Sequence, residues 1–259
     1  MDNLCYKCLS IQGYQIGWYQ SIDVDSKRKS LLFVHGIASQ ASHWIELIKN
    51  FENMYNIYLL DRPGYGKSDM VKGYSNESYY ILLEEIIKKM NIKTPLIYIG
   101  HSLGAYLGLK LALRNISFDK IILLAPFINY SVDQNLILYK ELCKKRVEEL
   151  SRNGFCKYDD ENIIKKYCDD VKKMNNEAIW NDFCMISNDK IEINMLSKIE
   201  SRIFIIHGFE DKIVSYRKGQ TISKVIKRSK LFLLNNCGHN FFIGNARTVS
   251  RIMEKYIIE

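Results

Sequence analysis

Gly100-His101-Ser102-Leu103-Gly104 is the stretch on which the reading of this 259-residue chain turns. A short apolar run, Leu96-Ile97-Tyr98-Ile99, leads into it, and a helix-like run from Ala105 to Leu113 leaves it. A serine flanked by glycines two before and two after, between a strand and a helix, reads as a nucleophile elbow. The sharp turn pushes the hydroxyl outward, and glycines let strand and helix approach closely. Five residues of common types are a weak signal alone, so the rest of the chain must supply what such a serine needs.

Outward from the elbow the chain alternates. Leu4 to Ile22 suits an antiparallel hairpin punctuated by Gly13 and Gly17. Leu31–Val34, Ile57–Leu60 and Ile121–Leu124 are short apolar runs of the kind buried on both sheet faces. Helical spacing lies between them. It covers Trp44 to Phe51 and the run Tyr79, Leu82, Leu83, Ile86, Ile87 and Met90, the latter capped by Ser75. Strand and helix in alternation predict a parallel sheet covered on both faces, an α/β fold.

The alternation breaks from Phe127 to Ser201, where no comparable strand occurs. Leu136, Tyr139, Cys143, Val147 and Leu150 predict one helix stopped by Gly154. A second carries Ile163, Tyr167, Val171 and Met174 behind Asp159 or Asp160, and a third centres on Ile179, Trp180 and Phe183. A segment this long is too large for a loop and reads as a helical cap. The expected division is therefore a core of residues 1–126 and 202–259 with a cap of residues 127–201. After it come a strand at Ile203–Ile206, a helix from Tyr216, a strand at Leu231–Leu234 and a last helix from Ala246 to Ile258.

A serine nucleophile needs a base and an acid that orients the base, and in this kind of fold the order is serine, acid, histidine. Of five histidines, His35, His43 and His101 precede Ser102. His207 ends a buried strand and reads as a packed residue, whereas His239 lies in a glycine-containing loop beyond the last strand, at the sheet edge where sites form. His239 is the expected base. Asp211, five residues past the Ile203–Ile206 strand, is the expected acid, with Glu210 pointing elsewhere in the same turn. The backbone N–H of Leu103 opens a helix and can hold an oxyanion. The loop His35-Gly36-Ile37-Ala38 should supply a second donor, Ile37 N–H first and Ala38 in reserve. His35, Trp44, Tyr106, Phe127, Trp180 and Phe183 are candidate pocket residues, although aromatics on helices also pack cores.

Composition bounds the remaining classes. Hydrophobic content of 47% and charged content of 25% are globular values, and no apolar run approaches the roughly 18 residues of a membrane span. The N-terminal residues lack a basic segment followed by an apolar core, and seven cysteines is an odd number, so free thiols in a cytoplasmic protein are expected. Cys5 and Cys8 form a lone C-x-x-C without the second pair or histidine that a metal would need, and no metal or organic cofactor is expected. Between Lys212 and Met253 stand nine Lys or Arg and no acid, within a net charge of +8. A solvated surface explains them best, and an acidic acyl-carrier partner is the functional alternative. No nucleic-acid motif accompanies them.

These features together resemble the α/β-hydrolase superfamily, in its serine-nucleophile branch with a helical cap. His35-Gly36 resembles its oxyanion loop, Asp61-Arg62-Pro63-Gly64-Tyr65-Gly66-Lys67-Ser68 its D-x-P-G-x-G-x-S loop, and Gly100–Gly104 its elbow. Gly208-Phe209-Glu210-Asp211-Lys212-Ile213-Val214 matches the acid turn and Gly238-His239 the base. The likeness covers nearly the whole chain, least well the cap. It implies a mostly parallel eight-stranded sheet with an antiparallel second strand and a lid between strands six and seven. It also implies a serine hydrolase acting on a small-molecule ester or thioester. Carbon–carbon hydrolases and lyases of the superfamily use the same serine, and a non-catalytic ligand receptor could keep the same fold. Dehalogenases and epoxide hydrolases place aspartate where Ser102 stands.

Overall fold

The computed structural model describes residues 3–73 and 75–258. Met1 and Asp2, which open the N-terminal stretch read above, lie outside it, as do Tyr74 and Glu259. Eight strands form one sheet: β1 (Leu4–Ile11), β2 (Tyr14–Ser21), β3 (Ser30–Val34), β4 (Asn56–Leu60), β5 (Leu96–His101), β6 (Lys120–Leu124), β7 (Arg202–Gly208) and β8 (Ser229–Leu234). Their order is β1-β2-β4-β3-β5-β6-β7-β8. β2 runs antiparallel to both neighbours, and every pair from β4 to β8 is parallel. The central strands β3, β4 and β6 are buried at every residue, as their unbroken apolar runs require when helices cover both faces.

The helices are α1 (Ile45–Ile48), α2 (Asn76–Lys89), α3 (Leu103–Leu113), α4 (Gln134–Leu138), α5 (Glu141–Asn153), α6 (Glu161–Lys173), α7 (Asn176–Asn188), α8 (Tyr216–Val225), α9 (Phe241–Gly244) and α10 (Ala246–Ile258). Ser75 caps α2 through its hydroxyl, which accepts the Ser78 N–H at 3.2 Å. Asp160 caps α6 by accepting from Asn162 N–H, while Asp159 instead accepts from Cys156 N–H.

Helices α4 to α7 all fall between β6 and β7. The single helix expected from Leu136 to Leu150 is two, broken at Tyr139 (φ −123°, ψ 88°). The reason lies outside the local pattern. Asn176 at the start of α7 accepts the Lys144 N–H and donates to the Lys140 carbonyl, both at 3.0 Å, and so caps α5 from another helix. The run Trp44–Phe51 is also less helical than expected, with a 3₁₀ turn at Ala41–Trp44 and one short turn of α-helix. A buried Asp61 carboxylate takes the Ala41 N–H at 2.8 Å and ties that turn to the end of β4. All seven cysteines are free, and Cys8 is exposed on β1. Among the described residues no helix is long and apolar enough to cross a membrane.

Candidate active site

Ser102 is the hinge between β5 and α3. Its backbone sits at φ +52°, ψ −114°, a region that costs a non-glycine residue about 1–3 kcal/mol. Neighbours hold it there. Its N–H donates to the Leu124 carbonyl of β6 at 2.9 Å, and its carbonyl accepts from Tyr106 N–H at 3.0 Å. The two glycines are required by space. A Cβ at Gly104 would lie 2.1 Å from the Val34 carbonyl oxygen, and one at Gly100 would lie 2.3 Å from the Gly104 oxygen. α3 therefore starts directly on the carboxyl end of β3, and its first N–H groups, beginning with Leu103, have no partner within the helix.

Asp211 and His239 come from separate turns at the same sheet edge. His239 Nδ1 lies 2.7 Å from Asp211 Oδ2, and the Asp211 side chain is fully buried. Asp211 Oδ1 accepts the Ile213 and Val214 N–H groups, both at 2.8 Å. Burial alone would raise the Asp211 pKa, but His239 and His207 beside it hold it well below the ordinary carboxylate range. The carboxylate is thus an acceptor, which assigns the proton to His239 Nδ1 and leaves Nε2 with its lone pair. Glu210 is exposed. His207, fully buried, packs as expected, and its Nε2 donates to the Val214 carbonyl at 2.9 Å while lying 3.2 Å from Asp211 Oδ2. His207 thereby braces the acid turn.

Two further histidines are buried neutral. His35 Nε2 accepts the Arg62 N–H at 3.0 Å and its Nδ1 lies 2.9 Å from the Gly36 carbonyl. His101 Nε2 lies 3.0 Å from the His239 carbonyl, supporting the base loop from below. Burial lowers both pKa values well below the usual value, with Arg62 adding to the effect at His35 and His239 at His101. The unfolded chain therefore takes up protons that the fold excludes. Stability is full above the unfolded histidine value near 6.5 and falls below it by about 1.4 kcal/mol per pH unit for each residue. Asp211, held down, adds loss of the same sign once pH drops below about 4. The urea midpoint should therefore fall between pH 7.5 and pH 5.0, the direction set by histidines that the fold keeps neutral. A flat profile across that window would contradict this account of the two histidines.

Ser102, His239 and Ile37 line one cavity of about 70 Å³, under α5, α6 and α7. Apolar side chains dominate it: Phe127, Val147, Leu150, Phe183, Ile186, Ile213 and Val214, with Tyr130, Ser151, Tyr167 and Asn240 adding polar atoms. Of the candidate pocket residues, Phe127 and Phe183 are there. The other four are elsewhere, each for a packing reason. His35 lies behind the oxyanion loop, bonded to Arg62. Trp44 is buried in the core between Phe33 and Phe242 of α9, the packing role that apolar helical spacing also allowed. Tyr106 is buried behind Phe127, stacked at 5.2 Å. Trp180 donates to the Ile137 carbonyl at 3.1 Å and faces a separate surface recess. Tyr167 and Val147 were legible only as cap-helix positions. Asn240 and Val214 sit next to His239 and within the acid turn, so adjacency to those residues was the available signal.

Of the two candidate amides in the 35–38 loop, Ala38 N–H, the reserve, points to the Tyr65 hydroxyl at 3.5 Å, whereas Ile37, the first choice, borders the cavity.

An eight-stranded, mostly parallel sheet with an antiparallel second strand, a strained serine after β5 and helices inserted between β6 and β7 is the α/β-hydrolase fold. Within that superfamily the chain belongs to the serine aminopeptidase, S33, family, whose pattern matches residues 25–245. It is 27% identical over 237 residues to "Uncharacterized hydrolase YugF" of Bacillus subtilis (strain 168), covering 82% of this chain and 84% of that one. It is 23% identical over 240 residues to 2-hydroxy-6-oxononadienedioate/2-hydroxy-6-oxononatrienedioate hydrolase 2 of Pseudomonas putida, covering 84% and 83%. Among solved structures, an esterase (EaEST) from Exiguobacterium antarcticum matches with a TM-score of 0.84 at 18% identity, over 96% of this chain and 98% of that one. That last likeness is one of fold.

Proposed function

We propose that this protein hydrolyses small, uncharged carboxylic esters or thioesters through an acyl-enzyme on Ser102. The observation that carries the reading is the Asp211–His239 pair at 2.7 Å, with His239 and Ser102 bordering one apolar cavity. Ser102 Oγ attacks the acyl carbonyl and His239 Nε2 takes its proton. The resulting imidazolium is stabilised by Asp211, and the proton then passes to the leaving oxygen or sulfur. Water activated by His239 releases the acid. Leu103 N–H, at the start of α3, and Ile37 N–H hold the charge that develops on the carbonyl oxygen.

The lining supports an uncharged substrate. Among the described residues bordering the cavity none is Lys or Arg, and Asp and Glu are missing as well. A dicarboxylate of the kind named for the Pseudomonas putida relative would bury its charge unpaired, at a cost of several kcal/mol. The terminal ammonium that an aminopeptidase must bind meets the same objection. A cavity of about 70 Å³ suits a short acyl group.

A carrier protein is not part of the reading. Lys212, Arg217 and Lys218 stand beyond the carboxyl end of β7, but Lys227, Arg228 and Lys230 lie at the amino end of β8, the opposite edge of the sheet. They present no single basic face to an acidic partner.

A p-nitrophenyl ester series, with fluorophosphonate labelling in parallel, tests the proposal. Acetate to butyrate should turn over with kcat/KM at least about tenfold above octanoate, since each surplus methylene must displace packed side chains. A maximum at octanoate or longer would refute the size assignment. Labelling without ester turnover would favour the carbon–carbon branch, and no labelling would favour a receptor.

A further inference from the structure

We infer that Arg62 is a positioning residue that couples the seating of the cap to the oxyanion loop, with Asp182 of α7 as the cap's half of the coupling. The inference rests on the role proposed above for Ile37 N–H.

Arg62 follows β4 in the loop Asp61–Ser68 and is fully buried, with Asp182 almost so. All five guanidinium N–H groups are used. Nε donates to the His35 carbonyl at 3.0 Å and Nη2 to the Gly36 carbonyl at 2.9 Å. Nη1 and Nη2 form a forked pair with Asp182 Oδ1 and Oδ2, at 3.0 and 2.6 Å. Nη1 also donates to the Tyr79 hydroxyl at 3.1 Å. The two carbonyls it grips belong to the residues immediately before Ile37, which borders the cavity, so the guanidinium plane sets the peptide that carries the Ile37 N–H. A lysine has neither the fork nor the donor count for this.

The cap reaches the same loop by two more contacts. The Tyr65 hydroxyl donates to Asp182 Oδ2 at 2.6 Å and accepts Ala38 N–H at 3.5 Å. The Tyr167 hydroxyl of α6 donates to the Ala38 carbonyl at 3.2 Å. Ala38 needs such restraint, because its φ of +48° is uncommon for a residue with a side chain. Residues 35, 36 and 38 are thus held through their carbonyls by groups that the cap supplies or completes, and none of these contacts takes the Ile37 N–H. A buried pair with a carboxylate 120 residues away gains little stability over apolar packing, whereas its fork fixes the guanidinium plane. Here it orients a cation that in turn orients a catalytic donor. Without Asp182 the guanidinium loses the partner that keeps it aimed at the loop.

The test compares Asp182→Asn and Tyr65→Phe, both near-isosteric, with the wild type on p-nitrophenyl butyrate and on a boronic acid whose tetrahedral adduct carries the oxyanion. For Asp182→Asn, kcat should fall about tenfold to a hundredfold with KM within about twofold, since a slightly misaimed donor costs transition-state binding alone. Boronic acid affinity should fall by the same factor as kcat. Tyr65→Phe should move both quantities the same way by a smaller factor, and it carries the test if Asp182→Asn does not fold. An unchanged kcat, or a lowered kcat with unchanged boronic acid affinity, overturns the coupling. A merely structural role would lower the melting temperature and the active fraction while leaving kcat per labelled serine and boronic acid affinity unchanged. Failure of the wild type to cleave any ester would instead refute the proposed function, and the two failures are read from different proteins.

Discussion

Ser102→Ala is expected to lower kcat on a short p-nitrophenyl ester by about 10⁶-fold and to leave the protein folded with its melting temperature nearly unchanged. The size follows from what remains. Without Oγ no acyl-enzyme forms, and the oxyanion donors and cavity act only on a water attack, which retains about 10³–10⁴ over solution. Alanine keeps the Cβ and the strained φ of +52°, so the elbow and its N–H bond to Leu124 persist. His239→Ala should cost nearly as much, and the pair together little more, because the two act as one unit. Steady-state kinetics with active-site labelling measures this. A Ser102→Ala protein retaining a tenth of the activity would remove Ser102 from the mechanism.

Asp211→Asn is expected to cost about 10⁴-fold in kcat with little change in KM. The four N–H groups around this carboxylate explain why a single atom matters so much. Ile213 and Val214 N–H converge on Oδ1, while His239 Nδ1 and, more distantly, His207 Nε2 meet Oδ2. An amide placed with its nitrogen toward His239 meets a donor with a donor, and the ring must move its proton to Nε2, where it can no longer accept from Ser102. The flipped amide turns its nitrogen on the two backbone N–H groups and strains the acid turn. Glu210→Gln, one residue away and exposed, should leave kcat within about twofold, the usual result for a surface change. Equal effects of the two substitutions would show that the acid turn matters only as a fold element.

Much of this architecture is legible in the sequence. The strand runs end in Gly, Pro or Asp at the places where the sheet ends, and Ser102, Asp211 and His239 stand just beyond β5, β7 and β8. Parallel strands share one carboxyl edge, so residues at those ends are brought together by topology without detailed packing. The pocket was much less legible. Phe127 lines the cavity and Tyr106, stacked behind it, does not, although both are aromatic and near the elbow. Which of two such rings faces a cavity depends on how α3 is rotated and where the cap sits, and neither leaves a local mark. The same holds for the break between α4 and α5, which a side chain from α7 caps.

The sequence by itself determined the sheet, the elbow and the strand ends that carry Ser102, Asp211 and His239. Local turn chemistry and the two-sided burial of parallel strands are written in adjacent residues. The tertiary structure alone decided the lining and volume of the cavity, the His207 brace on Asp211, and the meeting of Arg62 with Asp182. Those depend on contacts between segments far apart in the chain, and their energies come from fit between whole elements rather than from the preferences of any one stretch.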